Sequence, residues 1–232
     1  MPAFKEAWKT YGNVFDAFAL RTLFKLSSEG HFDELMGPIS IGKEANLFLA
    51  KKWDGKVVVK IYRMAACDFR RMFDYIKTDQ RYQGLRKQKR KIIFAWAQRE
   101  YRNLLKAREG GVSVPTPIAW RNHILVLEFI GEEQPAPRLK DCTPENPQEF
   151  CALIVENMRK LKKAGLVHGD LSPFNILNRH EKPVFIDFSQ GSTLQSPLAQ
   201  ELWERDVRNI AAYCQKMKTI ITEETIKKKI QI

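Results

Sequence analysis

Apolar residues recur along this chain with two different periods, and the places where the period changes outline its organisation. Over residues 14–29, Phe15, Ala19, Leu23 and Leu26 fall on one face of a helix, and Gly30 follows as a C-cap. Three short strand-like runs come next: Met36–Ile41, Asn46–Lys51 and Lys56–Tyr62. Asp54-Gly55 supplies a turn between the last two. Residues 66–88 are polar and basic, include Gly84, and predict a short helix followed by a loop. Residues 89–109 predict a long helix stopped by Gly110-Gly111. Ile93, Ala97, Glu100 and Leu104 share one face of it. That face sets a carboxylate among apolar side chains, where a charge needs a partner.

Beyond the long helix, the segments around Ile118 and over His123–Ile130 read as strands. Residues 131–147 hold four prolines and read as a connector. A helix over 148–163 presents Phe150, Leu153, Ile154, Met158 and Leu161, with Gly165 after it. Ile176–Leu177 and Val184–Ile186 are short strands flanking a turn. A final long helix spans 197–217, with Ser196 as N-cap and Pro197 at its first position. The end, EETIKKKIQI, is a short helix or a basic tail, and no internal repeat is visible. The expected architecture is α+β with two lobes. Residues 1–35 form an N-terminal helical segment, 36–130 a strand-rich lobe, 131–147 a connector and 148–232 a helical lobe.

Composition narrows the class. Hydrophobic residues make up 44% of the 232 and aromatics 11%, enough for a core and too apolar for a disordered chain. No apolar run approaches the ~20 residues of a membrane span, and the N-terminus lacks the apolar stretch of a secretory signal. A soluble cytoplasmic protein is expected, with no membrane partner. Cys67, Cys142, Cys151 and Cys214 show no paired spacing, which argues against structural zinc and for reduced thiols. His31, His123 and His180 read as surface or structural residues. The net charge of +12 is concentrated: residues 61–108 carry 14 basic against 4 acidic residues, densest at Arg86–Lys91. Such a run is either a solvated helix face or a patch for a polyanion.

The strongest chemical signal lies in the helical lobe. Residues 167–177 read VHGDLSPFNIL, and twelve residues after Asn175 comes Asp187, at the end of the apolar run Val184-Phe185-Ile186. Phosphoryl transfer uses such a set. One Asp orients or deprotonates the acceptor, here Asp170. An Asn and a second Asp, here Asn175 and Asp187, offer hard oxygen ligands to the cation that neutralises the phosphates. The alternative is a loop whose Asp and Asn only make turn hydrogen bonds. Upstream, Val57-Val58-Val59-Lys60-Ile61 is a strand with one Lys, which can reach nucleotide phosphates if a carboxylate positions it. Glu100, on the apolar face of the long helix, is that carboxylate by position. The turn Ser40-Ile41-Gly42-Lys43-Glu44-Ala45-Asn46 holds a single Gly and matches neither three-glycine nor Walker patterns. Gly42 still permits close backbone approach to a phosphate, and Ser40 and Lys43 supply donors.

Taken in order, GKEAN, VVVKIY, WAQREYRNL, LEFIGEEQPAPRLKD, LVHGDLSPFNIL and VFIDFSQ resemble the RIO family of atypical serine/threonine protein kinases. The GKEA loop is similar to that of the family's first subfamily in its short archaeal-type form. The resemblance covers roughly residues 14–217. It implies a compact kinase fold without the usual activation loop and peptide-binding helices, ATP with Mg²⁺ or Mn²⁺ as cofactors, and a role in small-ribosomal-subunit maturation. It implies that Lys60 binds phosphate with Glu100 as its partner, and that the backbones of Glu128 and Ile130 hold the adenine. It makes Asp170 the catalytic Asp and Asn175 and Asp187 the metal ligands, with an aspartyl-phosphate step for part of the family. Residues 77–90 match the family's flexible loop and coincide with the basic cluster. Segment 77–91 is therefore expected to meet the pre-ribosomal small subunit and its rRNA, with no DNA partner. Pro173 stands where the subfamily usually carries an acidic residue. Two other readings stay open. One is the kinase-like ATPase subunit of the tRNA threonylcarbamoyl-adenosine complex, which also has an HGD loop but usually an IDFG-like sequence where this chain has IDFSQ. The other is a nucleotide-switched RNA-binding scaffold.

Overall fold

The computed structural model of the protein describes residues 15–64 and 67–230. The first fourteen residues of the expected N-terminal segment and the last two of the tail lie outside them. The described chain divides into two units. One runs to Ile76 and includes Gly84–Tyr101 and Pro117–Phe129; the other comprises Lys77–Gln83, Arg102–Thr116 and the residues from Ile130 onward.

The first unit is built on α1 (Ala17–Ser28) and a five-stranded sheet of β1 (Glu34–Ile41), β2 (Ala45–Lys52), β3 (Gly55–Tyr62), β4 (Pro117–Arg121) and β5 (Ile124–Glu128), in the order β1-β2-β3-β5-β4. Every neighbouring pair is antiparallel. Asp16 starts α1 by accepting from the Ala19 amide at 2.6 Å, which satisfies one of the amides the first turn leaves unpaired. Leu23 and Leu26 of α1 join Phe48, Val57, Val59, Ile61, Ile124 and Val126 in one core cluster. Strand alternation then decides the rest. With Val57, Val59 and Ile61 given to that core, β3 turns Lys60 and Tyr62 to its other face. Also in this unit are α2 (Phe69–Lys77, up to Ile76) and the first part of the long helix α3 (Lys89–Glu109).

The second unit takes the last turns of α3, then α4 (Pro147–Lys163), β6 (Leu166–Val167), β7 (Ile176–Arg179), β8 (Lys182–Phe185), β9 (Ser192–Thr193), α5 (Ala199–Lys216) and α6 (Glu223–Lys229). β7 and β8 form a hairpin, and β6 pairs with β9. The tail is helical, held by a capping box between Thr222 and Thr225. Residues 77–83 contain a 3-10 turn, Gln80–Tyr82, whose Asp79 is 2% exposed and chelated by Arg81.

Two expectations are corrected. Leu153 is 36% exposed; the buried stripe of α4 widens on the opposite side, through Cys151 and Val155. Ser196 and Pro197 do not open the last long helix, which starts at Ala199 behind Leu198. Ser196 closes a turn instead, its hydroxyl accepting from the Leu198 amide at 3.3 Å and its carbonyl from that of Ala199 at 3.0 Å. Pro197, with no N–H to give, fits inside that turn. Among the described residues, no helix is long and apolar enough to cross a membrane.

Candidate active site

In the first unit, α3 meets the outward face of β3 at one carboxylate. Glu100 is fully buried and receives the Lys60 ammonium on Oε1 at 2.7 Å and the Tyr62 hydroxyl on Oε2 at 2.5 Å. Lys60 Nζ also lies 5.2 Å from the Tyr62 ring centroid. Lys60 is fixed along the sheet by its register, opposite Leu47 on one side and Leu125 on the other. The apolar helix face that carries Glu100 is buried throughout, Ile93, Ala97 and Leu104 included.

The β1–β2 turn is tight. The Gly42 amide donates to the Ala45 carbonyl at 3.0 Å, and a Cβ on Gly42 would stand 2.6 Å from that oxygen. The glycine is thus required by the turn itself, before any ligand is considered. Arg63 donates to the Gly42 carbonyl at 3.2 Å. Ser40 lies on β1 opposite Leu47, and Lys43 is exposed at the tip. Glu128 ends β5 opposite Val57. Ile130 belongs to the second unit, where its carbonyl accepts from Ala136 at 2.9 Å and closes a strap containing Gly131.

In the second unit the three acid and amide candidates come together. Asn175 donates through Nδ2 to the Asp170 carbonyl at 2.9 Å and to Asp170 Oδ2 at 3.3 Å. The Asn175 carbonyl accepts from Ile186, the residue before Asp187, at 3.0 Å. Asp187 sits in the left-handed region, φ 62°, at the head of the 3-10 turn Phe188–Gln190. That conformation is uncommon outside glycine and costs of order 1 kcal/mol or more, so the surroundings must impose it. His168 is one of the residues that do so. Fully buried, it contacts the Ile186 carbonyl at 3.0 Å through Nε2 and packs 4.5 Å from the Phe188 ring. Asn103, two turns from the end of α3, donates to the carbonyls of Phe188 (3.2 Å) and Gly191 (2.8 Å) and accepts from Arg81 at 3.0 Å.

The loop that carries Asp170 is gripped from α5 through its backbone. Asp206 accepts from the amides of Gly169 and Leu171, both at 2.8 Å. Asn209 donates to the Leu171 carbonyl at 3.1 Å, and Arg205 donates to that of Gly169. Burial pushes the Asp206 carboxyl up to about 7, against the pull of the two amides and Arg205. Arg205, Asp206, Asn209 and Asn103 were missed in the sequence. For Asp206 the signal was there: a lone acid in the apolar stripe Leu202, Trp203, Val207, Ile210.

The donor set suits a hard divalent cation. Asn175, its amide nitrogen committed to Asp170, keeps an amide oxygen, and Asp187 adds a carboxylate two residues past β8. Among the described residues no cluster of three His, Cys, Asp or Glu could hold a metal alone. Mg²⁺ commonly takes one or two side chains and completes its shell with phosphates and water. His123, by contrast, is buried in a cluster with the rings of Phe18 and Phe94, its centroid 5.5 and 6.2 Å from theirs, and burial lowers its pKa to about 4. The basic run Arg86–Lys91 is exposed, with Lys87 over the Phe73 ring at 5.5 Å and Lys89 over that of Phe69 at 4.9 Å.

A strand Lys held by a helix Glu, together with an Asp/Asn loop followed by a strand-end Asp, defines a protein-kinase-like phosphotransferase. A RIO domain matches residues 46–227. The Rio1 serine/threonine kinase of Haloferax volcanii is 42% identical over 210 residues, spanning 90% of this chain and 72% of that protein. That of Methanocaldococcus jannaschii is 43% identical over 212 residues, 90% of this chain and 73% of its own length. The chain belongs to the RIO family of atypical serine/threonine protein kinases, in its Rio1 group. A crystal structure of the Rio2 kinase of Chaetomium thermophilum with ADP, Mg²⁺ and phosphoaspartate shares the fold. Its TM-score is 0.69 at 23% identity, over 91% of this chain and 66% of that one.

Proposed function

We propose that this kinase binds ATP with Mg²⁺, transfers the γ-phosphoryl group, and acts on pre-ribosomal small subunits in the cytoplasm. The observation that carries the nucleotide reading is the buried Lys60–Glu100 pair. A buried ion pair is a poor stabiliser compared with apolar packing, so its presence asks for a functional reason. Lys60 serves the ATP phosphates and Glu100 aims it. The backbones of Glu128 and Ile130 meet the adenine, and Ser40, Gly42 and Lys43 face the phosphates. Asp170 orients the acceptor. Asn175 and Asp187 hold the cation, which when bound neutralises charge on the phosphates. The ADP, Mg²⁺ and phosphoaspartate of the Rio2 structure support the same cofactors and suggest Asp187 as acceptor. In that step a carboxylate oxygen of Asp187 bonds to the γ-phosphorus, the bond to the β-phosphate oxygen breaks, and ADP leaves.

The test is acid-quenched labelling with γ-labelled ATP and Mg²⁺. Label lost to hydroxylamine and absent in Asp187→Asn is expected. Label that resists hydroxylamine points to ordinary serine or threonine transfer. The ribosomal part rests on the exposed basic run and the family resemblance, and co-sedimentation with small subunits checks it. Four free cysteines fit a reducing compartment. Membership of the RIO family favours this reading over the tRNA-modifying complex.

A further inference from the structure

Gln190 has no part in the phosphotransferase set described above, yet its side chain lies between two members of the second unit that matter. Nε2 donates to Asp170 Oδ2 at 3.3 Å, and Oε1 accepts from Arg205 Nη2 at 3.2 Å. The direction of this amide follows from chemistry. A guanidinium can only donate, so the oxygen must face Arg205, and the nitrogen is left to face the carboxylate. We infer that Gln190 is a positioning residue for phosphoryl transfer, fixing the orientation of Asp170 by bridging it to Arg205. The inference rests on the reading of Asp170 as the acceptor-orienting group.

Three observations support it. First, Gln190 is held in place by its backbone. It ends the 3-10 turn that begins after Asp187, Phe188 and Ser189 beside it are buried, and Asn103 clamps the carbonyls of Phe188 and Gly191 on either side. Second, the turn and the catalytic loop touch backbone to backbone. Gly169 has φ +78°, and a Cβ there would stand 2.8 Å from the Gln190 carbonyl oxygen. No larger residue at 169 would allow the glutamine so close to Asp170. Third, Asp170 Oδ2 receives a second amide, that of Asn175, at 3.3 Å. Two amides from different loops meeting one carboxylate oxygen fix its side-chain torsions as one could not. Only glutamine satisfies the whole arrangement at this length. Leucine makes neither bond. Glutamate can still accept from Arg205 but faces Asp170 with a like charge.

The experiment compares Gln190→Leu and Gln190→Glu with the parent full-length chain, each alone and combined with Asp170→Asn. ATP turnover with Mg²⁺, ATP affinity and the thermal midpoint are measured for all. Misplacement of a reacting group by about 1 Å can cost ~100-fold, so kcat should fall by ~10–100-fold, further for Glu than for Leu. ATP affinity should stay within about twofold, and in the Asp170→Asn background neither change should cost more, because residues acting as a unit are not additive. Losses that multiply in the double variants, or that follow the thermal midpoint, would make Gln190 merely structural. Asp170-dependent turnover indifferent to both variants would overturn the inference alone. Full turnover in Asp170→Asn would overturn it together with the reading of Asp170.

Discussion

Lys60 Nζ lies 2.7 Å from Glu100 Oε1, across forty residues of sequence, with side-chain exposures of 7% and 1%. Such a pair loses more solvation than a surface bridge and gains little net stability, while breaking it strands a buried charge. Glu100 also accepts from Tyr62, so its removal leaves two donors behind. Glu100→Ala should therefore cost ~3–5 kcal/mol of stability, read by urea unfolding. Lys60→Met with Glu100→Leu should recover most of that loss and still bind ATP weakly. Recovery of ATP affinity together with stability would mean that the pair serves packing alone.

Asp170→Ala is expected to lower phosphoryl transfer by ~10²–10⁴-fold with ATP affinity nearly unchanged. In the proposed mechanism Asp170 orients the acceptor and does not hold the nucleotide. Single-turnover rates set beside nucleotide titrations separate the two. Turnover close to the parent would remove Asp170 from the mechanism.

Asn175→Ala and Asp187→Ala should each weaken the dependence of ATP affinity on Mg²⁺, since each would withdraw one of the proposed oxygen ligands. Titrating Mg²⁺ at fixed ATP measures this. An unaltered dependence in both variants would place the cation elsewhere.

Replacing Arg86, Lys87, Lys89 and Arg90 with Ala should flatten the salt dependence of RNA binding, lowering the log–log slope by up to ~3 as fewer counterions are released. All four side chains are exposed, so the fold should tolerate the change. A slope that does not move would return the run to a solvated face.

His123 makes stability depend on pH. Its pKa is lowered from 6.5 to about 4, chiefly by burial, with Arg90 adding to the shift and Asp16 opposing it. Between those values the unfolded chain binds the proton and the folded chain does not. The stability is therefore fully present above pH 6.5 and falls as the pH drops toward 4. The full shift corresponds to ~3 kcal/mol. His123→Phe keeps a ring packed against Phe18 and Phe94 and should flatten the unfolding midpoint across that window. A parent-like slope in the variant would assign the pH dependence to other groups.

The helices that position this site could be read from periodicity because each has one apolar face, while β3 and β5, buried on both faces at their centres, could be read as short apolar runs. The α3 face of Ile93, Ala97, Glu100 and Leu104 even exposed the carboxylate that meets Lys60. Ser196 failed as a cap because a residue type suited to capping also suits the turn before the helix, and only the backbone path distinguishes them. Leu153 failed because neighbouring apolar residues on α4 offered two stripes. Asp170, Asn175 and Asp187 were legible because their chemistry is local and spaced. Asp206 stands out locally as a lone acid in an apolar stripe, but the backbone atoms that Arg205, Asp206 and Asn209 hold lie more than thirty residues away in sequence, and no local spacing encodes that pairing.

The grip of α5 falls on the amides and carbonyls of Gly169 and Leu171, not on the side chains of their neighbours. The path of the loop is thus insured independently of what the loop carries. Position 173 can therefore change its side chain and leave Asp170 presented as before. Evolution is free to edit such a loop letter by letter for new acceptors, provided three residues of a distant helix stay where they are.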